Sequence, residues 1–163
     1  MSDLLDRFTT PRMLVALAAG GSAAVLAAAL TFQAAGFAPC ELCIAQRWPH
    51  LVAAVLGGAI LLFRLPLRLA AFGAVAALTT GGIGIYHSLV ERHLIQGPTA
   101  CTSGPVGSLS AQDLLAQINA APLVRCDEIA WQMFGVTMPN LNVVASAVFA
   151  ALWIAAYLKA YRR

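Results

Sequence analysis

Marked only as apolar or polar positions, the chain is four long apolar stretches joined by shorter polar ones. No Asp, Glu, Lys or Arg interrupts residues 13–40, 48–63, 69–90 or 129–158. A run of about 20 apolar residues is long enough to cross the hydrocarbon core of a bilayer as a helix. The pattern therefore predicts four transmembrane helices, over roughly 13–35, 44–63, 69–90 and 140–158, the second beginning ahead of Trp48. Between the second and third, Arg64-Leu-Pro-Leu-Arg68 is a tight turn suited to antiparallel neighbours. The expected fold is an all-α membrane protein, one integral domain over 1–163, built as a four-transmembrane-helix antiparallel bundle. Small residues in "LAAGGSAAVLAAAL", "LGGAILL" and "TTGGIGIY" let helices approach closely, and ordinary packing in lipid accounts for them.

The outer loops are expected at 36–43 and 91–139, and the second is the only sizeable polar stretch. Pro98, Gly104, Pro105, Gly107 and Pro122 make most of it loop. Within it, "SAQDLLAQINA" predicts a short amphipathic helix over 110–120. Ser110 is its N-cap, Asp113 completes an approximate capping box, and Ala111, Leu114, Leu115 and Ile118 form one apolar face. A helix this short is marginal in water, so its apolar side is expected to rest on the membrane interface or the bundle top.

Composition agrees with the pattern: 60% of the 163 residues are hydrophobic and 10% charged, against about a quarter charged in soluble domains. The first apolar stretch is too long for a secretory signal core and has no convincing cleavage site, so it is read as a retained span. With the N-terminus inside, the inner segments carry Arg7, Arg12, Arg64, Arg68, Lys159, Arg162 and Arg163, and the outer ones only Arg47, Arg92 and Arg125. The positive-inside rule then places both termini in the cytoplasm. The +3 net charge follows from this topology and gives no reason to invoke nucleic acid. All four cysteines fall on the outer side, which in a bacterial host is the periplasm, where disulfides persist.

Those cysteines are a close pair, Cys40 and Cys43 in "PCELCIAQR", and a distant pair, Cys101 and Cys126. They fit three chemistries: a zinc site, two structural disulfides, or two redox pairs that exchange. Zinc sites usually draw on two short knuckles, and Cys101 and Cys126 form none, so no metal site is expected. A bridge between Cys101 and Cys126 would close a long loop and stabilise it. A bridge across two residues constrains little, and Cys40 and Cys43 read as chemistry. Arg47 lies one turn beyond Cys43 near a helix start, and both features favour a reactive thiolate. As a plain interfacial anchor Arg47 would need no such neighbour. Trp48 reads as an interfacial aromatic, and Pro49 as a helix opener or kink.

An acceptor for two electrons at this depth has to be found outside the chain. The sequence contains no haem motif, flavin fingerprint or nicotinamide-binding glycine loop, and a lipid-soluble quinone fits the location. It needs an apolar slot, a cation and hydrogen-bond donors. Arg47 can be the cation, with His87 near the outer end of the third span and Gln33 near that of the first at similar depth. His50 and His93 have no assigned role.

These residues resemble the DsbB family of bacterial disulfide bond formation proteins. The likeness runs over nearly the whole chain: "PCELCIAQRWP", "GIYHSLVERHLIQGPTACTSG", then Cys126 and "FGVTMPNLN". The resemblance implies disulfides Cys40–Cys43 and Cys101–Cys126, and a DsbA-type periplasmic oxidant as partner. It implies attack by that partner at Cys101, exchange from Cys126 to Cys40, and electrons leaving Cys43 for ubiquinone or menaquinone, with Arg47, His87 and Gln33 beside it. A tryptophan common in the family shortly after "MP" is absent; Leu141 is there instead. The vitamin K epoxide reductase family also uses two cysteine pairs and a quinone, but there the loop pair precedes the Cys-x-x-Cys. A non-catalytic scaffold stiffened by disulfides is the rival from another class, and it requires Arg47 to be dispensable.

Overall fold

Three of the four long helices begin at a capping side chain, and the other continues from a 3-10 turn. Thr10 accepts from the Met13 N–H at 3.3 Å and Pro11 takes the first position, starting α1 (Pro11–Ala34). The Cys40 sulfur accepts from the Cys43 N–H at 3.3 Å and starts α2 (Glu41–Leu62). A 3-10 turn at Leu67–Leu69 leads directly into α3 (Ala70–Glu91). Before α4 (Met138–Tyr161), the Thr137 N–H donates to Asn140 Oδ1 at 3.2 Å. Arg64 (φ 51°) and His93 (φ 56°) take the left-handed conformation just past α2 and α3 and turn the chain out of each helix. The computed structural model describes residues 10–99, 101, 102, 110, 112, 115, 116, 119 and 124–162.

The helices form a ring in which α1 and α3 each pack on α2 and α4. Contacts join the end of one helix to the start of the next: Gln33 to Arg47, His87 to Gln46 and Ser88 to Asn140. Neighbours are therefore antiparallel. The core is made largely of alanines around Trp153, which is fully buried. Gly73 and Gly57 make room for it: a Cβ on Gly73 would lie 2.4 Å from the indole, and one on Gly57 would lie 2.2 Å from the Ala19 methyl. Close approach of helices through small residues is what holds such a bundle together where lipid replaces water. Gly73→Ala is expected to cost about 1–3 kcal/mol through overpacking, read as a lower melting temperature in detergent. Gly82→Ala, where a Cβ meets nothing within 4 Å, should leave that temperature unchanged.

Helix limits fall within three residues of the expected spans. The second begins at Glu41 rather than 44, because the Cys40 cap starts it. Three stretches, Pro11–Ala34, Leu67–Glu91 and Met138–Tyr161, are long and apolar enough to cross a membrane. Helix α2 falls short of that measure because Gln46, Arg47, Pro49 and His50 dilute its N-terminal half. The segment 91–139, expected as loop apart from one helix, also contains a hairpin, β1 (Gln132–Met133) with β2 (Val136–Thr137). Its two-residue turn needs positive φ at both central positions. Gly135 supplies one at 78°, and Phe134 supplies the other at 51° while standing 98% exposed. Of the helix expected over 110–120, Gln112, Leu115, Ala116 and Asn119 are helical and exposed. Its capping partner Asp113 and the apolar positions Ala111, Leu114 and Ile118 lie outside the described residues.

Candidate active site

Because Cys40 caps α2 and Cys43 ends its first turn, the helix start places their sulfurs 3.0 Å apart. They are free thiols, so the bridge expected between them is not formed here, and Cys40 instead donates its S–H to Cys43. Cys101 and Cys126 are joined as a disulfide, with Cα atoms 5.3 Å apart. The Cys126 N–H donates to the Cys101 carbonyl at 2.7 Å. All four cysteines share one cluster: Cys40, Cys101 and Cys126 are buried with Leu42 and Val90, and Cys43 packs at its edge.

The close pair divides its two sides. Cys40 sits in the buried cluster with the disulfide, whereas Cys43 lines an apolar cavity of about 450 Å³ between the C-terminal part of α1 and the N-terminal parts of α2 and α4. Phe32, Phe37, Arg47, His50 and Leu141 also line that cavity. A larger cleft of about 640 Å³, between Pro11, Arg68 and Tyr157, is at the opposite end of the bundle, away from every cysteine.

Arg47 is the cavity's cation. Its Nη1 donates to Gln33 Oε1 at 2.6 Å and its Nη2 to the Ala29 carbonyl at 3.5 Å, so α1 holds the guanidinium in place. No carboxylate pairs with it among the described residues. Gln33 itself is exposed and does not line the cavity. His87 does not line it either; it is buried behind the cysteine pair, its Nε2 3.6 Å from the Cys40 sulfur. Of the three residues expected to touch the acceptor, only Arg47 lines the cavity, because Gln33 reaches it through Arg47 and α3 turns His87 toward Cys40.

A line of hydrogen bonds continues from His87 through residues the sequence left without firm roles. Gln46 Nε2 donates to His87 Nδ1 at 3.0 Å, which leaves the ring proton on Nε2, facing Cys40. Asn142 Nδ2 donates to Gln46 Oε1 at 2.8 Å, and His50 Nε2 donates to Asn142 Oδ1 at 2.7 Å. Thr80 braces the line by donating to the Gln46 carbonyl at 3.0 Å, one turn from the donor lost at Pro49. Every donor from His50 to Cys40 points toward Cys43, and aligned donors support negative charge on that sulfur. His50 Nδ1 is buried and has no hydrogen-bond partner among the described residues. Only tertiary structure could assign His50 and Asn142 to this line, since they are far apart in sequence.

The supports around the site are polar as well. Thr137 donates to the Glu91 carboxylate, and Asn140 Nδ2 to Ser88 Oγ at 2.7 Å, tying the outer ends of α3 and α4 together. Beside Cys126, Arg125 donates to both Asp127 oxygens, at 2.9 and 2.6 Å, and holds that carboxyl below the usual carboxylate range. His93 and Trp48 are both exposed.

The sequence model of one protein family, described as disulfide bond formation protein DsbB, matches residues 11–156. The chain belongs to the DsbB family. That match takes in α1 to α3, most of α4, the cysteine pairs and Arg47. Among named relatives, disulfide bond formation protein B of Stutzerimonas stutzeri (strain A1501) is 29% identical over 146 residues, covering 85% of this chain and 89% of the relative. An uncharacterised protein, RP370, of Rickettsia prowazekii (strain Madrid E) is 28% identical over 112 residues. That alignment covers 66% of this chain and 64% of the relative, so the chain spans under two thirds of RP370. No solved structure matches the chain. Membership in the DsbB family and the three long apolar helices make this a membrane protein with a thiol oxidoreductase site.

Proposed function

We propose that this protein reoxidises a periplasmic DsbA-type dithiol protein and passes the two electrons to a membrane quinone. The single observation that carries this is the division of the close pair, with Cys40 against the Cys101–Cys126 disulfide and Cys43 on an apolar cavity beside Arg47. In this reading α2, antiparallel between two apolar helices, is the fourth span, its polar outer half facing the bundle and the cavity. Both termini are cytoplasmic and the cysteines face the periplasm of the bacterial inner membrane, as the distribution of Lys and Arg supports.

The cavity's residues fit a quinone: its lining is mostly apolar and Arg47 offers the charge and the hydrogen-bond donors. A bound quinone, ubiquinone or menaquinone according to the host's pool, would supply acceptance of two electrons and two protons. The protein's own steps are thiol–disulfide exchange. A partner thiolate attacks Cys101 and releases Cys126. With the close pair oxidised, Cys126 attacks Cys40 and expels Cys43 as a thiolate. The partner's second thiolate resolves the mixed disulfide and frees Cys101, which attacks Cys126, re-forms Cys101–Cys126 and releases Cys40. Cys40 and Cys43 then close their disulfide as the electron pair leaves by way of the Cys43 sulfur, with Arg47 offsetting the negative charge that develops in the cavity. Gln33 positions Arg47, and His87 hydrogen bonds Cys40. In balance, the partner's two thiols become a disulfide and the acceptor gains two electrons and two protons.

Cys101→Ser separates the two halves. It is expected to stop oxidation of partner thiols while chemically reduced Cys40 and Cys43 still reduce added quinone, measured by thiol count and quinone absorbance. Undiminished partner oxidation by this variant would reject the exchange assigned to Cys101.

A further inference from the structure

Cys40, Cys43 and His87 also make an arrangement that disulfide exchange does not require. Their two sulfurs and the ring nitrogen lie within 4.8 Å of one another, with Cys40 and His87 buried and Cys43 half-buried. Around a tetrahedral zinc ion, with Zn–S about 2.3 Å and Zn–N about 2.0–2.1 Å, two sulfurs stand about 3.8 Å apart and a sulfur and a nitrogen about 3.5 Å. Here the sulfurs are 3.0 Å apart, and Cys40 Sγ and His87 Nε2 are 3.6 Å apart. The Cys40–His87 spacing already suits a metal, the two sulfurs need to part by about 0.8 Å, and the Cys43 sulfur stands within 4.8 Å of the ring nitrogen.

We propose that the reduced Cys40–Cys43 pair, together with His87, binds a thiophilic divalent cation of the Zn²⁺ class and that binding arrests electron transfer. The arrest rests on the function proposed above; the binding site does not. Two thiolates and an imidazole are a borderline-soft ligand set that favours zinc over calcium or magnesium. Two thiolates and a dication are together neutral, so the complex is cheaper to bury than a bare dithiolate. Binding through Nε2 puts the ring proton on Nδ1, and a half-turn of the Gln46 amide presents Oε1 to it. That gives the histidine the outer hydrogen bond that metal-bound imidazoles usually make. Occupancy depends on redox state, because a Cys40–Cys43 disulfide has no thiolate to offer. Cysteine spacing alone pointed away from a metal because the third ligand comes from a different helix.

The test uses the full chain, purified free of quinone, carrying Cys101→Ser and Cys126→Ser so that only Cys40 and Cys43 supply thiolates. Reduced anaerobically and titrated with Co²⁺, it should take up one ion per chain, develop thiolate-to-cobalt charge-transfer absorption, and release the ion to Zn²⁺. Binding should release protons. His87→Ala should weaken Zn²⁺ binding by about 10–100-fold, at least the loss usual for disturbing even a metal's outer partners. His87→Gln serves the same purpose should the alanine variant not fold. No charge-transfer absorption by the reduced pair, or Zn²⁺ affinity unchanged in the His87 variant that folds, would overturn the site. In the protein with all four cysteines, Zn²⁺ should halt quinol formation and a chelator should restore it; undiminished quinol formation with Zn²⁺ bound would overturn the arrest. If metal-free protein makes no quinol at all, the proposed function fails and the cobalt result is unaffected.

Discussion

Cys43→Ser is expected to lower quinol formation by at least about 1,000-fold, the scale seen when a catalytic nucleophile is removed. Cys43 is the one cysteine that lines the apolar cavity. Serine keeps the size of the side chain but cannot leave as a thiolate or close a bridge to Cys40. Cys40 then has a single sulfur partner within its cluster, the Cys101–Cys126 disulfide. The variant should therefore accumulate a Cys40–Cys126 bridge with Cys101 released, which non-reducing peptide mapping detects. Quinol formation within tenfold of the parent would remove Cys43 from the electron path. A Cys40–Cys101 bridge in place of Cys40–Cys126 would reverse the roles given to the distant pair.

Arg47→Met is expected to cut turnover by about 100–1,000-fold, corresponding to about 2.7–4 kcal/mol, the usual loss when a preorganised donor to a developing anion is removed. The guanidinium is half-buried, unpaired with any carboxylate among the described residues, and fixed from α1 by Gln33 and the Ala29 carbonyl. Methionine retains much of the apolar stem, so the helix packing should persist. Arg47→Lys restores charge but not the fork that reaches both Gln33 and Ala29, and should recover only part of the rate. Gln33→Ala should have a smaller effect in the same direction, since it loosens Arg47 without removing the charge. Steady-state rates across a range of quinone concentrations read all three. Full activity in Arg47→Met would favour an interfacial anchor and a scaffold role for the disulfides.

The helices were legible because lipid-facing and core-facing positions are both apolar, so uncharged runs mark them directly. Helix α2 is the informative exception: the polar residues that build the site, Gln46, Arg47 and His50, are the ones that dilute its apolar signal. That Cys40, Cys43 and Arg47 gather at one helix start was legible from the Cys-x-x-Cys spacing and the arginine one turn beyond it. Which way each side chain turns was not. Gln33 and His87 lie near the C-terminal ends of α1 and α3, yet one braces Arg47 and the other faces Cys40, because packing angles between helices decide orientation. Asn142 joins His50 to Gln46 from α4, and no local pattern announces that bond. The hairpin at 132–137 was hidden for a different reason: its strands are two residues each, and its turn puts a phenylalanine where glycine or asparagine is usual.

The central claim is tested most directly by anaerobic stoichiometry. Purified protein with both disulfides formed is mixed with ubiquinone and a reduced DsbA-type dithiol protein, and quinone absorbance is followed together with free thiols. Loss of two thiols for each quinol formed, continuing over many turnovers, is the result predicted by electron flow through Cys101–Cys126, Cys40–Cys43 and the cavity beside Arg47. Thiol loss limited to the protein's own two disulfides, with the quinone unchanged, would contradict it.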